Sequence, residues 1–366
     1  MEDATRPLLG FSCAYTPLPL VDAAGLAPYR ILPRSDTADQ AGTVLHDNLC
    51  PHVKRVLDRA LAGELPRLRA VVFMDSCDAM RRACDAWRRH RPDDEVVLVD
   101  LPVDASNASV AFFAQQLGEL ASRLGRWGGC EVTVAGLRAS VARYNELAAD
   151  LASLADHAAH GRLEGGRAEL QRLLVRSVTE PLDEVLGALE RLAVQLDGQG
   201  EAPGSPTARA GAPVFLFGNV LPDPAAFELF DDCGARVVGD DVCTGMRQLA
   251  PLAVPERDGP LDTVLGDLAR AVLERPSCPR TMGRNQGREL GRRIVADARR
   301  SGARGVIAHV MKFCDPYLAR LPVIQSVLRE ASLPLLVLEG DCTLRSLGQH
   351  RTRIEAFVEM LGEPSP

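Results

Sequence analysis

The sequence predicts an α/β protein of two parallel-sheet domains with a helical insertion between them. Short apolar runs alternate with amphipathic helical patterns at the start of the chain and again at its end. The stretch between these regions is helical almost throughout. Alternation of this kind is how a parallel sheet is connected, because two parallel strands need a crossover, usually a helix.

Taken in order, Leu8–Ser12, Pro28–Leu32, Ala70–Met74 and Val96–Asp100 are strand candidates, each a short apolar run closed by a polar or turn residue. Val53–Leu61 and Ala79–Arg89 lie between them and carry helical periodicity. From Ser106 to Leu196 apolar residues recur three and four apart, as in Phe113, Leu117, Leu120 and Leu124, then Leu137, Val141, Tyr144, Leu147 and Leu151. Pro181 marks a break or a new helix start near Thr179. Residues 198–213 are rich in Gly, Ala and Pro without periodicity and read as a linker. Strands return at Val214–Phe217, Arg236–Gly239, Gly305–Val310 and Leu335–Leu338. A last helix over Arg351–Leu361 places Ile354, Phe357, Val358 and Leu361 on one face. The domains so drawn are 1–105, a helical insertion 106–197, the linker 198–213, and 214–366.

The two alternating regions look like weak copies. Residues 69–78 and 304–315 are both apolar strands that run into Cys-Asp and then a helix, and each is followed by a further strand. Two Rossmann- or flavodoxin-like domains facing each other are therefore expected, with ligands held beyond the carboxyl ends of their strands.

Composition excludes several classes. At 366 residues, 46% apolar and 25% charged, the chain has enough material for two or three ordinary globular domains. A net charge of −7 argues against a nucleic-acid binder, which needs surplus basic charge. Only Lys54 and Lys312 among the 42 basic residues are lysines, so abundant arginine carries no functional message by itself. No apolar run approaches the roughly 20 residues of a membrane span. Met1-Glu2-Asp3 lacks the basic and apolar regions of a signal peptide, so a cytoplasmic setting is expected.

In that reducing setting ten cysteines read as thiols, not as a disulfide framework, and most as small buried hydrophobes. Six stand apart because they fall where elements end. Cys13, Cys77, Cys243, Cys314 and Cys342 follow strands, and Cys50 precedes a helix opened by Pro51. A thiol at a helix N-terminus favours the thiolate that a metal needs. Cys84, Cys130, Cys233 and Cys278 lack that setting and read as packing residues, while Asp78 and Asp315 read as helix caps. His309 reads as a satisfied core histidine, and Lys312, Arg351 and Arg353 as solvated. Tyr15 and Ser76 are candidate hydrogen-bond donors in the cleft.

Missing motifs narrow the chemistry. Neither lysine follows a glycine, so no P-loop is present; G-x-G-x-x-G, H-E-x-x-H, G-x-S-x-G and C-x-x-C are absent as well. Widely spaced cysteines gathered by folding remain, and iron–sulfur ligation is their natural use.

An ordered series of short motifs resembles the 2-hydroxyacyl-CoA dehydratase and benzoyl-CoA reductase family over nearly the whole chain. It runs through Gly10-Phe11-Ser12-Cys13-Ala14-Tyr15, Asn48-Leu49-Cys50-Pro51, Ser76-Cys77-Asp78, Arg143-Tyr144-Asn145-Glu146, Asp240-Asp241-Val242-Cys243-Thr244-Gly245, Lys312-Phe313-Cys314-Asp315, Glu339-Gly340-Asp341 and Gly348-Gln349-His350-Arg351. The resemblance implies a [4Fe–4S] cluster on Cys50, Cys77 and Cys314 with one iron open to substrate. It also implies an acyl-CoA substrate, a paralogous subunit or second copy as dimer partner, and an ATP-dependent [4Fe–4S] activator protein that supplies an electron. The reaction so implied is elimination of water from a 2-hydroxyacyl-CoA through a ketyl radical. Cys342, with Cys13 and Cys243, raises the candidate thiolates to six, which suits the [8Fe–9S] double cubane of some relatives that act as ATP-coupled reductases. A non-catalytic partner subunit is the third alternative.

Overall fold

The computed structural model describes residues 6–198, 211–255, 259–276, 278–281, 286–342 and 347–362. The first half contains β1 (Leu8–Phe11), α1 (Leu18–Ala23), β2 (Ala27–Arg30), α2 (Pro51–Leu61), β3 (Leu68–Met74), α3 (Asp78–His90) and β4 (Val96–Val99). Four helices follow, α4 (Asn107–Gly128), α5 (Val134–Ala159), α6 (Gly166–Arg176) and α7 (Leu182–Gly198). The second half comprises β5 (Ala212–Gly218), α8 (Pro224–Asp232), β6 (Ala235–Val242), α9 (Leu261–Leu273), α10 (Gln286–Arg300), β7 (Gly305–Met311), α11 (Asp315–Glu330), β8 (Leu335–Gly340) and α12 (Leu347–Gly362). Most of the linker expected at 198–213 lies outside the described residues.

Each half is a four-stranded, wholly parallel sheet, ordered β2-β1-β3-β4 and β6-β5-β7-β8. The order is the same, so β3 and β7 are equivalent, as the paired Cys-Asp runs suggested. Sheets of this type are covered on both faces, which is why their strands read as unbroken apolar runs. All seven residues of β7 are buried.

The chain does not stay within two sequential units. After β6 it crosses back, and α9 packs on α4. Val264, Leu265, Leu268 and Val272 thereby enter the same core as Leu9, Val72 and Leu117 of the first half. Opposite them, Val220, Met311 and Cys342 of the second half share a core with Val53, Val71, Phe73 and Trp87 of the first. Apolar packing on two sides holds the carboxyl ends of the sheets against each other. The turn after β5 needs a glycine: Gly218 has φ +150°, and a Cβ there would stand 2.0 Å from the carbonyl oxygen of His309.

Candidate metal centre

Two equivalent turns build the centre. β3 ends at Met74 and Cys77 is the N-cap of α3; β7 ends at Met311 and Cys314 is the N-cap of α11. Each thiol thus stands three residues past its strand, at the opening of a helix. The capping position belongs to the cysteine, and Asp78 and Asp315 fall in the first helical turn instead, one residue later than expected. Cys50 caps α2, whose first residue, Pro51, has no N–H to leave unsatisfied.

Cys13, Cys50, Cys77, Cys243 and Cys314 all line one apolar cavity of about 100 Å³ between the sheets. Cys278, expected to be a packing residue, lines it as well, carried there by the segment that crosses back behind α9. Cys342 does not. It is 1% exposed, packs in the core beside Cys50 and Met311, and touches an outer cleft. Of the other cysteines read as packing residues, Cys84 and Cys233 are buried, whereas Cys130 is exposed.

The sulfurs have defined partners. The Asn219 amide donates to Cys314 Sγ at 3.0 Å and accepts from the Met311 N–H at 3.0 Å, so the carboxamide is fixed at both ends. Cys314 is also hydrogen-bonded to Cys50. Arg30, fully buried, donates to Cys243 Sγ at 3.2 Å and to the Cys243 carbonyl at 3.0 Å, and its guanidinium also bonds Gln248. Arg30 stands behind this wall, and two guanidinium groups line the cavity itself: Arg247, paired with Asp241 at 2.6 Å, and Arg280, which donates to the Asp75 and Leu101 carbonyls. Tyr15, Ser76 and His52 complete part of the wall, with the Tyr15 hydroxyl accepting from the Cys278 N–H at 3.1 Å.

Burial governs the thiols' acidity. It pushes Cys77 up to about 11 and Cys278 up to about 12, and it raises Cys13, with the neighbouring Cys243 adding to the effect. The hydrogen bond with Cys50, and then burial, raises Cys314 far above the ordinary thiol range. For Cys77 desolvation, and for Cys314 the Cys50 hydrogen bond together with desolvation, outweighs the positive helix end, contrary to the simple expectation for a capping thiol. A cation is what turns such groups into ligands, with release of protons.

Among the described residues no three His, Cys, Asp or Glu side chains are grouped closely enough to hold one metal ion. A cubane makes a different demand, because each thiolate binds a different iron and the sulfurs spread around a larger body. A small apolar cavity with thiols on several walls and buried guanidinium charge beside them fits such an anionic cluster by the chemistry of its donors.

Outside the cavity, Lys312 and Arg353 are exposed, and Arg351 pairs with Asp232 and Glu355. His309 is buried, with Nε2 bonded to the Asp341 carbonyl at 3.1 Å. No described helix is long and apolar enough to cross a membrane.

Comparison with known proteins identifies the family. The model of the family described as 2-hydroxyglutaryl-CoA dehydratase, D-component, matches residues 13–361. The chain is 25% identical to lactoyl-CoA dehydratase subunit beta of Anaerotignum propionicum, over 96% of this chain and 91% of that one. It is 24% identical to the (R)-phenyllactyl-CoA dehydratase beta subunit of Clostridium sporogenes, covering 99% and 93%. A benzoyl-CoA reductase subunit of Thauera aromatica is 21% identical, with 91% and 85% covered. The family match takes in every strand but β1 and every cysteine of the cavity, and the chain belongs to the 2-hydroxyglutaryl-CoA dehydratase D-component family.

Proposed function

We propose that this chain is the iron–sulfur subunit of a 2-hydroxyacyl-CoA dehydratase-type enzyme, with a [4Fe–4S] cluster on Cys50, Cys77 and Cys314. The observation that carries the reading is the convergence of three helix-capping cysteines, two of them in equivalent positions of the two sheets, on one small cavity. When bound, the cluster would supply the one-electron reduction of an acyl-CoA thioester that lets the 2-hydroxyl group leave as water. The chain's own residues do the rest. Asn219 orients the Cys314 sulfur, while Val53, Met80, Val220 and Met311 keep bulk water from the cavity. Arg247 and Arg280 place positive charge against the wall where a thiolate-bound cluster would add negative charge. A partner subunit and an ATP-dependent [4Fe–4S] activator belong to this reading, supported by the naming of the relatives as subunits.

A second reading has one observation in its favour: six thiols, Cys278 included, line the cavity, enough for an [8Fe–9S] double cubane in an ATP-coupled reductase. The two readings separate in an anaerobic assay with partner subunit, activator and ATP. The dehydratase converts a 2-hydroxyacyl-CoA to the 2,3-enoyl-CoA plus water, and Cys314→Ala abolishes the activity. Reduction of benzoyl-CoA or another acceptor, without dehydration, would replace the first reading by the second.

A further inference from the structure

Asn219 is engaged through its main-chain and its side-chain groups alike. It follows Gly218 at the end of β5, and its main-chain N–H donates to the His309 carbonyl at 3.0 Å. Its main-chain carbonyl accepts from the Cys243 N–H at 3.1 Å. The carboxamide bridges the Met311 N–H and the Cys314 sulfur, each at 3.0 Å. One buried residue thus ties the ends of β5, β6 and β7 to a proposed ligand of the cluster.

The chemistry of the partners fixes which way the carboxamide faces. A main-chain N–H can only donate, so the Met311 N–H must meet the Asn219 oxygen, and the NH2 group is left to face the sulfur. Asn219 therefore donates to Cys314 whether the sulfur is a thiol or a thiolate. Cys77, the equivalent capping cysteine of the first sheet, has a different side-chain partner. The Ser76 hydroxyl bonds it and also bonds Cys13. A hydroxyl carries one hydrogen and rotates, so it donates to only one of the two sulfurs at a time. In their main-chain bonds the two turns match, since Cys77 meets the Met80 N–H and Cys314 the Tyr317 N–H. The amide of Asn219 is the fixed donor that one turn has and the other lacks.

A donor aimed at a thiolate ligand draws charge from it, and this favours the reduced, more negative state of a cluster bound there. We infer that Asn219 is a positioning residue that raises the reduction potential of the cluster by donating to Cys314. The inference rests on the iron–sulfur reading above.

Its test is a potentiometric titration of the anaerobically purified full chain, followed by electron paramagnetic resonance. Wild type is compared with Asn219→Ala, Asn219→Asp and Gln171→Ala, and iron content and urea midpoint are measured on each. Gln171 is the control, because it steadies the same loops through the Pro222 and Thr244 carbonyls without touching a sulfur. Asn219→Asp, read at about pH 9 so that the carboxyl is ionised, keeps an acceptor for the Met311 N–H and has no hydrogen for the sulfur. Both Asn219 variants should be harder to reduce, with a reduction equilibrium constant lower by about tenfold, or about 59 mV for one electron. Gln171→Ala should titrate with the wild type. An unchanged potential in the Asn219 variants would overturn the inference and leave the cluster reading intact. An equal shift in Gln171→Ala would do the same, by showing a general loosening of the loops. Loss of iron from both Asn219 variants would assign the residue to holding the site and not to its potential. A wild-type chain without iron would bring down the cluster reading and this inference together.

Discussion

The cysteines show how far single residues reveal a site before the fold is known. Cys50, Cys77 and Cys314 announce themselves because each sits before a legible helix, two of them after legible strands, and all three enter one cavity. Cys278 gives no such signal, since it follows α9 in a turn without a strand, and only the crossing-back of that segment delivers it. Asn219, Arg30, Arg247 and Arg280 were equally silent: arginine is too common in this chain for any one to stand out, and a lone Asn after a strand reads as a turn residue. His309 is the buried core histidine the sequence suggested but only half satisfied, since Nε2 is bonded and Nδ1 has no hydrogen-bond partner, and it supports a prediction. Burial holds it down to about 4 from an ordinary 6.5. Between those values the unfolded chain takes up a proton that the folded chain refuses. Stability present above pH 6.5 is therefore lost as the pH falls toward 4, by up to about 3 kcal/mol from this group. His52, held by burial at about 3, adds loss over the same window. Urea unfolding midpoints of wild type and His309→Gln, taken from pH 7 to pH 4.5, should show a shallower acid loss in the variant. Parallel curves would mean that His309 is not the group responsible.

At the scale of elements, the eight strands were legible because buried parallel strands are continuous apolar runs, and each expected strand overlaps an observed one. The closing turns were less so. The left-handed Phe313 (φ +58°), just before Cys314, is an aromatic residue in a conformation that favours glycine, and nothing in its neighbourhood of the sequence advertises it. Gly218 is equally inconspicuous, yet the pairing of β5 with β7 depends on it: Gly218 lies opposite His309 in the register, with no room for a methyl group. Gly218→Ala should destabilise the chain by about 3 kcal/mol or more through overlap and backbone strain. Because Asn219 follows directly and fixes Cys314, the substitution should also lower the iron content. A urea midpoint unchanged from wild type would show that the turn relaxes freely.

For the whole molecule, the repeated strand order of the two sheets explains why a cavity forms between them: equivalent strand ends, turned toward each other, bring equivalent cysteines to one place. The weak internal copy predicted this facing. The return of α9 to the first half was not readable, since its apolar face fits any sheet, and long-range packing alone decides which one it covers. The central claim is that the shared cavity is a [4Fe–4S] site on Cys50, Cys77 and Cys314. Iron and acid-labile sulfide per chain, measured after strictly anaerobic purification of wild type, Cys314→Ala and Cys342→Ala, test it most directly. The account predicts about four irons in wild type and in Cys342→Ala, and loss of most of them in Cys314→Ala. Iron retained in full by Cys314→Ala, or absent from the wild-type chain, would contradict it.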